Sequence, residues 1–510
     1  MPSFLHFFKS DILNLNHQKA FLLNHPQKKL FFYIGFFCII LWQTVYVFKP
    51  CITEDYRRKE TTGLGHENAK HFVYFYYYLN LFPVATTHSP LLYSKEGAEK
   101  TIRENGPELL MEWRHWSRLG ESARIFLYMP KAILTGSAAN PDTMPFNALL
   151  FNFSLLFIFS AFWRFGFPLL GFFIVVFFGS NPFILYEIYA RPNVFAYPIV
   201  FTLILLALNL SFFTQRKKKY LFILPLLSGL LIGTAVHIRG ENLVLIVSCI
   251  IIYLTSNEKW SYKLFLMALC IFSFCLTTFS WKGFFEKKFR EAYTVVKQAG
   301  GLPYDGVRGD YHPFWHPFYC GLGDYDTKYN YQWRDSVAYV YALPILKEKY
   351  KLNLHYSKGY YLDEYYDKGK IYYKKLESFQ EYQDVLKQKI LFDIQNDPLW
   401  YLRILTKRII SVFNDTSPVW LKVGKIELHT PLNGIWVLPF ILLFWRWKRW
   451  FELRLLLFSF PLAATSIILY SKGNTTFNSC FHLFFAALLA SWLAEYIFAK
   501  LNHKKSMQSA

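Results

Sequence analysis

YPIVFTLILLALNLSFFTQRKKKYLFILPLLSGLLIGTAVHIRGENLVLIVSCIIIYLTSNEK, residues 197–259, decides how this chain folds. Three apolar runs are separated by two short charged turns. Each run approaches the length of about 20 residues that crosses a bilayer core. The first turn holds Arg216, Lys217, Lys218 and Lys219, and the third run ends near Lys259. The turn between them is different: His237, Arg239 and Glu241 mix both signs. Lysine and arginine gather on the cytoplasmic side of membrane helices, so the first and third clusters face inward and the mixed turn faces outward.

The same alternation extends in both directions. Spanning helices are expected at roughly 30–48, 146–163, 167–186, 194–213, 221–237, 242–256, 263–281, 432–446, 452–470 and 478–499. Lys28 and Lys29, Lys263, the group Arg446, Lys448, Arg449 and Arg454, and the group Lys500, Lys504 and Lys505 then fall on the same side as Arg216. The expected fold is an all-α polytopic membrane protein of about ten transmembrane helices, with both termini cytoplasmic. Its parts are a cytoplasmic N-terminus (1–29), a transmembrane module (30–281) with a large first outer loop (49–145), a mainly helical outer segment (282–431), C-terminal transmembrane helices (432–499) and a tail (500–510). No internal repeat is visible.

Composition agrees. The chain of 510 residues is 53% hydrophobic and 20% aromatic, with 53 Phe and 36 Tyr. Long apolar runs explain that density better than a soluble core does. A net charge of +21 suits acidic partners such as lipid head groups, phosphates or nucleic acid. The basic clusters hug apolar segments, which favours membrane lipids and excludes a nucleic-acid face. Of seven cysteines, Cys38, Cys249, Cys270 and Cys275 lie in apolar runs, and Cys51, Cys320 and Cys480 lie in or near loops. No CxxC occurs, so neither a zinc ribbon nor a thioredoxin-like motif is indicated. No cleavable signal peptide is visible: the first 29 residues are polar to mixed, and the following run is long enough to remain as an anchor.

Charges near a membrane are costly, so short outward sites that hold them draw attention. CITEDYRRKE (51–60) places Glu54 and Asp55 just after the first helix. Paired carboxylates there suit a general base or a hydroxyl ligand; the plain alternative is a solvated helix cap beside Arg57 and Arg58. SNPFILYEIYARPNVFAYP (180–198) sets Glu187 and Arg191 among aromatics. Arg191 suits bidentate phosphate contact, or it simply pairs with Glu187 at i,i+4. AVHIRGENLV (235–244) brings His237, Arg239 and Glu241 within one hairpin. Arg239 suits a lipid phosphate with Glu241 orienting it; the alternative is a self-satisfied loop.

In the long outer segments, SARIFLYMPKAIL (122–134) reads as an amphipathic helix on the bilayer surface. FQEYQDVLKQKILFDIQNDPLWYLRILTKRIISVF (379–413) reads as two helices broken at Asp397-Pro398. The second has Arg403, Lys407 and Arg408 beside a Leu/Ile stripe, which suits a juxtamembrane position.

These features together resemble the GT-C-type glycosyltransferases, a class that includes oligosaccharyltransferases, protein O-mannosyltransferases and bacterial aminoarabinose transferases. The resemblance rests on ITEDY after the first helix, the loop of surface helices, NPFILYEIYARPN and LLSGLLIGTAVHIRGENL, and covers about residues 30–281. It implies transfer of a sugar from a polyprenyl-phosphate lipid to an acceptor glycan, lipid or protein on the outer face. Asp55 or Glu54 would be the base. Arg191 and Arg239, with His237, would neutralise the donor phosphate, supported by Glu187 and Glu241. The chain departs from the class where RRKE follows ED, and where the outer mass lies between the seventh and eighth helices rather than at the C-terminus. A bacterial inner membrane is the expected location, since no eukaryotic targeting signal is visible.

HPFWHPFYCGLGDYD (312–326) then falls outside the membrane. His312 and His316 are spaced for one helix face, but Pro313 and Pro317 oppose a regular helix across them. Asp324 and Asp326 form a DxD, which in many sugar transferases holds a divalent cation; two residues alone also recur by chance. His312, His316, Asp324 and Asp326 are therefore expected as substrate-pocket residues. Cys51 and Cys320 share an oxidising compartment on this topology and are open to pairing. Positions 312–382 are rich in tyrosine, suited to sugar stacking or to plain packing. The other classes that fit are a transporter or flippase of lipid-linked saccharides and a non-catalytic membrane assembly subunit.

Overall fold

The computed structural model describes residues 33–38, 40–41, 76–81, 95–97, 99–100, 123, 125–137, 143–185, 187–188, 197–213, 222–298, 314–351, 354–357, 360–367, 370–375, 380–414, 420–423, 426–429, 437–468 and 475–508. Among these, four helical stretches are long and apolar enough to cross a membrane: Phe146–Phe165, Trp260–Ala292, Trp450–Ile468 and Phe477–Phe498. Shorter apolar helices stand at the other expected positions between 167 and 446. The described part of the first expected span is helical at 33–38 and 40–41.

The chain begins its well-described part with α1 (Ile125–Thr135), where the surface helix was expected. α2 (Met144–Phe165) and α3 (Pro168–Gly179) each start with a proline in the first turn, where its missing N–H costs nothing. α4 (Tyr197–Phe213) is buried along nearly its whole length. α5 (Ile223–Ala235) and α6 (Leu245–Thr255) are joined by the His237–Glu241 hairpin and a 3-10 turn at Gly240–Val244. α7 runs unbroken from Trp260 to Gln298. At 1.5 Å per residue its 39 residues span about 58 Å, against about 30 Å of hydrocarbon. The boundary expected at 281 therefore marks where charge begins, and the helix itself continues to 298.

α5 packs on α7 through glycines one turn apart. A Cβ on Gly229 would stand 2.2 Å from the Cys270 carbonyl oxygen, and one on Gly233 would stand 2.8 Å from Thr277 Cβ. Small residues at this spacing let backbones approach without a side chain between them. Ser273 donates to the Leu226 carbonyl across the seam, and Trp281 Nε1 donates to Thr234. Inside the bundle Asn209 of α4 donates to Ser228 of α5 at 2.8 Å and accepts from Tyr253 of α6 at 3.0 Å. All three side chains are buried, so the network satisfies polar groups that water cannot reach.

Beyond α7 lie α8 (Trp315–Gly321), α9 (Asp335–Tyr350), α10 (Gln380–Asn396) and α11 (Pro398–Asn414). They enclose a second core that includes Tyr319, Tyr331, Leu346, Leu386 and Trp400. The break between α10 and α11 falls at Asp397, as the sequence predicts. Asp397 Oδ1 accepts the Trp400 N–H, capping α11 ahead of Pro398. Lys328 pairs with the same carboxylate and holds it below its usual range. Two small antiparallel sheets add to the mainly helical segment. β1 (Leu354–Ser357), β2 (Tyr360–Asp367) and β3 (Lys370–Lys375) pair in sequence order, and β4 (Trp420–Val423) pairs with β5 (Ile426–His429). The first lies in the tyrosine-rich stretch, where aromatic residues favour strands over helices. These strands correct the expectation of a purely α protein.

α12 (Val437–Arg446), α13 (Trp450–Ile468) and α14 (Thr475–Gln508) close the fold. The helix of α14 extends through most of the segment expected as a tail. Contacts between distant residues sort the helix ends into two sets. At one end Phe167 stacks on Phe451, Arg454 donates to Asn257, and Arg449 lies over Trp492. At the other Tyr197 donates to Asn147, and the Ala123 N–H donates to the His237 carbonyl. The basic turns around Lys259 and Arg446–Arg454 thus share the first end, and the mixed His237 hairpin lies at the second.

Candidate functional site

The hairpin after α5 is built by its own backbone. The Ala235 carbonyl accepts N–H groups from Ile238 and Arg239, both at 2.9 Å. Arg239 then turns to an extended conformation, and Gly240–Val244 coils into the 3-10 turn. Asn242 locks this shape. Its Nδ2 donates to Ala235 O at 2.9 Å and Arg239 O at 3.0 Å, and its side chain is fully buried. Asn242 was not singled out from the sequence. The signal available was an amide one residue past a charged pair in an otherwise apolar context.

Arg239 Nη2 meets Glu241 Oε1 at 2.5 Å, with both side chains largely buried. His237 Nε2 donates to the Thr278 carbonyl at 3.3 Å, and its ring meets Phe285. The backbone bond from Ala123 to His237 ties the approach to α1 onto this hairpin. From α1, Phe126 packs against Trp281, Phe284 and Phe285 of α7. An aromatic cluster therefore stands beside the His237 end of the hairpin.

Glu187 is buried in the turn after Pro182–Leu185. Its expected partner Arg191 lies outside the described residues, as do Glu54, Asp55, His312 and Cys51.

The structure separates the two aspartates of the DxD. Asp324 has a fully buried side chain facing Arg408, with Nη2 to Oδ2 at 3.6 Å. Asp326 accepts the Lys328 N–H at 2.7 Å and shapes the following turn. His316 is buried in the second core rather than on an open wall. α8 begins at Trp315, so Pro317 sits in its first turn, where proline is tolerated. The i,i+4 neighbour of His316 on this helix is Cys320. His316 Nδ1 is 2.5 Å from Tyr382 Oη, its Nε2 is 3.2 Å from Asp335 Oδ1, and Cys320 Sγ is 4.0 Å from Nε2. Asp335 and Tyr382 come from α9 and α10, far along the chain, and nothing in their local sequence points to His316. Cys320 is a buried free thiol.

Compared with known proteins, the chain matches no protein family, no curated protein and no solved structure.

Proposed function

We propose that this chain is a GT-C-type integral-membrane glycosyltransferase that moves a sugar from a polyprenyl-phosphate donor to an acceptor on the outer face. It would cross the membrane about ten times, in a bacterial inner membrane, with both termini cytoplasmic. What supports this is the Arg239–Glu241 pair, held by a rigid hairpin at the end of the bundle opposite the basic turns. A cation in a hairpin whose His237 ring meets Phe285 of the aromatic cluster suits a phosphate on an apolar tail. In this scheme Asp55 or Glu54 takes the proton of an acceptor hydroxyl. The freed oxygen attacks the anomeric carbon, the bond from that carbon to the phosphate oxygen breaks, and polyprenyl phosphate leaves. Arg239 and Arg191 neutralise its charge, with His237 and Glu241 fixing Arg239 and Glu187 serving Arg191. Charge stabilisation of this kind is usually the largest catalytic contribution.

The full chain in detergent, mixed with polyprenyl phosphate or with polyprenol of the same length, tests the phosphate role by native mass spectrometry. The phosphate should bind about tenfold or more tightly than the alcohol, the scale of a charged hydrogen bond. Arg239→Gln should erase that preference. Equal binding of the two lipids by the wild-type chain sinks the proposal. In reconstituted vesicles, full transfer by a Glu54→Gln, Asp55→Asn variant would remove the base assignment, and movement of lipid-linked sugar without transfer would make the protein a transporter.

A further inference from the structure

We propose that His316, Cys320 and Asp335 form a zinc site with one coordination position open to solvent. The three donor atoms lie within 4.8 Å of one another. The separations are 3.2 Å from His316 Nε2 to Asp335 Oδ1 and 4.0 Å from Nε2 to Cys320 Sγ. A tetrahedral zinc ion with bonds of about 2.0–2.3 Å holds its ligand atoms about 3.4–3.6 Å apart. The observed distances bracket that spacing, so small side-chain adjustments close the site. One helix, α8, supplies His316 and Cys320 a turn apart, and the first residue of α9 supplies Asp335.

The choice of metal follows from the donors. Thiolate and imidazole favour zinc over magnesium or calcium, which take oxygen ligands. His316 and Cys320 are buried, whereas the Asp335 side chain is 63% exposed. The ion therefore has an entry path on the Asp335 side, and a water completes its shell there.

Tyr382 supplies the outer support that ligating histidines need. Without metal, Nε2–H donates to Asp335 and the Tyr382 hydroxyl donates to Nδ1. With metal, Nε2 turns its lone pair to the ion and Nδ1–H donates to the same hydroxyl. A phenol does both, because it is donor and acceptor. The histidine shifts its proton from one nitrogen to the other with no net loss.

The test uses the full chain purified in detergent and stripped with a chelator. Zinc should bind at one ion per chain and resist excess magnesium. Cobalt in its place should give the thiolate-to-cobalt charge-transfer band of a tetrahedral site. Cys320→Ser should abolish that band. Asp335→Asn, at an exposed position that threatens no core packing, should weaken zinc binding at least tenfold. Tyr382→Phe should lower affinity by about 10–100-fold, the usual effect of losing such a support. A wild-type cobalt spectrum without the band overturns the site, as does equal zinc binding by wild type and Asp335→Asn.

Discussion

Arg408 donates to three backbone carbonyls, of Gly321, Ile467 and Ile468, and faces the buried carboxylate of Asp324. It thereby joins the end of α8 and the loop after it to the C-terminal end of α13, at the seam of two cores. Burial lowers the guanidinium pKa and Asp324 raises it in return. Removing one partner of such a buried pair leaves the other charge uncompensated, at a cost of about 3–5 kcal/mol. Arg408→Ala should therefore lower the thermal midpoint of the detergent-solubilised chain sharply, whereas the exposed Arg403→Ala should leave it almost unchanged. Similar losses for the two variants would mean that Arg408 carries no joint. The sequence offered Arg403, Lys407 and Arg408 as equals beside an apolar stripe. Which one turns inward depends on α8 and α13, which lie far away along the chain. His237, Arg239 and Glu241 were legible because opposite charges in an apolar hairpin are rare; Asn242, which holds them, carries no charge and gave no such signal.

α5 and α7 show what a helix seam demands. Gly229→Ala puts a methyl group against the Cys270 carbonyl and the Phe274 backbone, so the helices must part. Overpacking of this kind costs about 1–3 kcal/mol. Gly283 lies on α7 with open space around it, and alanine there should be neutral or should stabilise by up to about 1 kcal/mol. Thermal midpoints of the two variants check the contrast; a harmless Gly229→Ala would refute the close seam. The spacing of Gly229 and Gly233 was visible in the sequence, but their partner helix was not. α7 was under-read for a related reason. Lys282, Glu286, Lys287 and Lys288 end the apolar run, yet each is compatible with a helix, and the helix continues. The strands of the tyrosine-rich stretch were missed because tyrosine serves packing, interfaces and strands alike. The break at Asp397-Pro398 was read correctly, because a capping carboxylate before proline is a local signal needing no tertiary partner.

The described residues form a helical bundle with distinct ends and a second core joined to it through α11. Trp400 and Ile404 of α11 belong to the second core, and Val412 to the bundle. The proposed orientation predicts that a membrane-impermeant maleimide labels Thr327→Cys from outside intact spheroplasts and Lys259→Cys only after the membrane is opened. Both positions are exposed, so reach is not limiting. The reverse pattern would invert the scheme and move the Arg239 hairpin to the cytoplasmic side. What the sequence determined alone was the run of apolar segments, the alternation of basic and mixed turns, the capped break at Asp397 and the charged hairpin. These depend on transfer of side chains out of water and on local backbone chemistry, which neighbours in the chain report. Only the tertiary structure decided that Asp324 faces Arg408 while Asp326 shapes a turn, and that His316 meets Cys320, Asp335 and Tyr382. Such pairings depend on which distant elements share a core, and a buried charge or imidazole takes whichever partner that packing brings within reach.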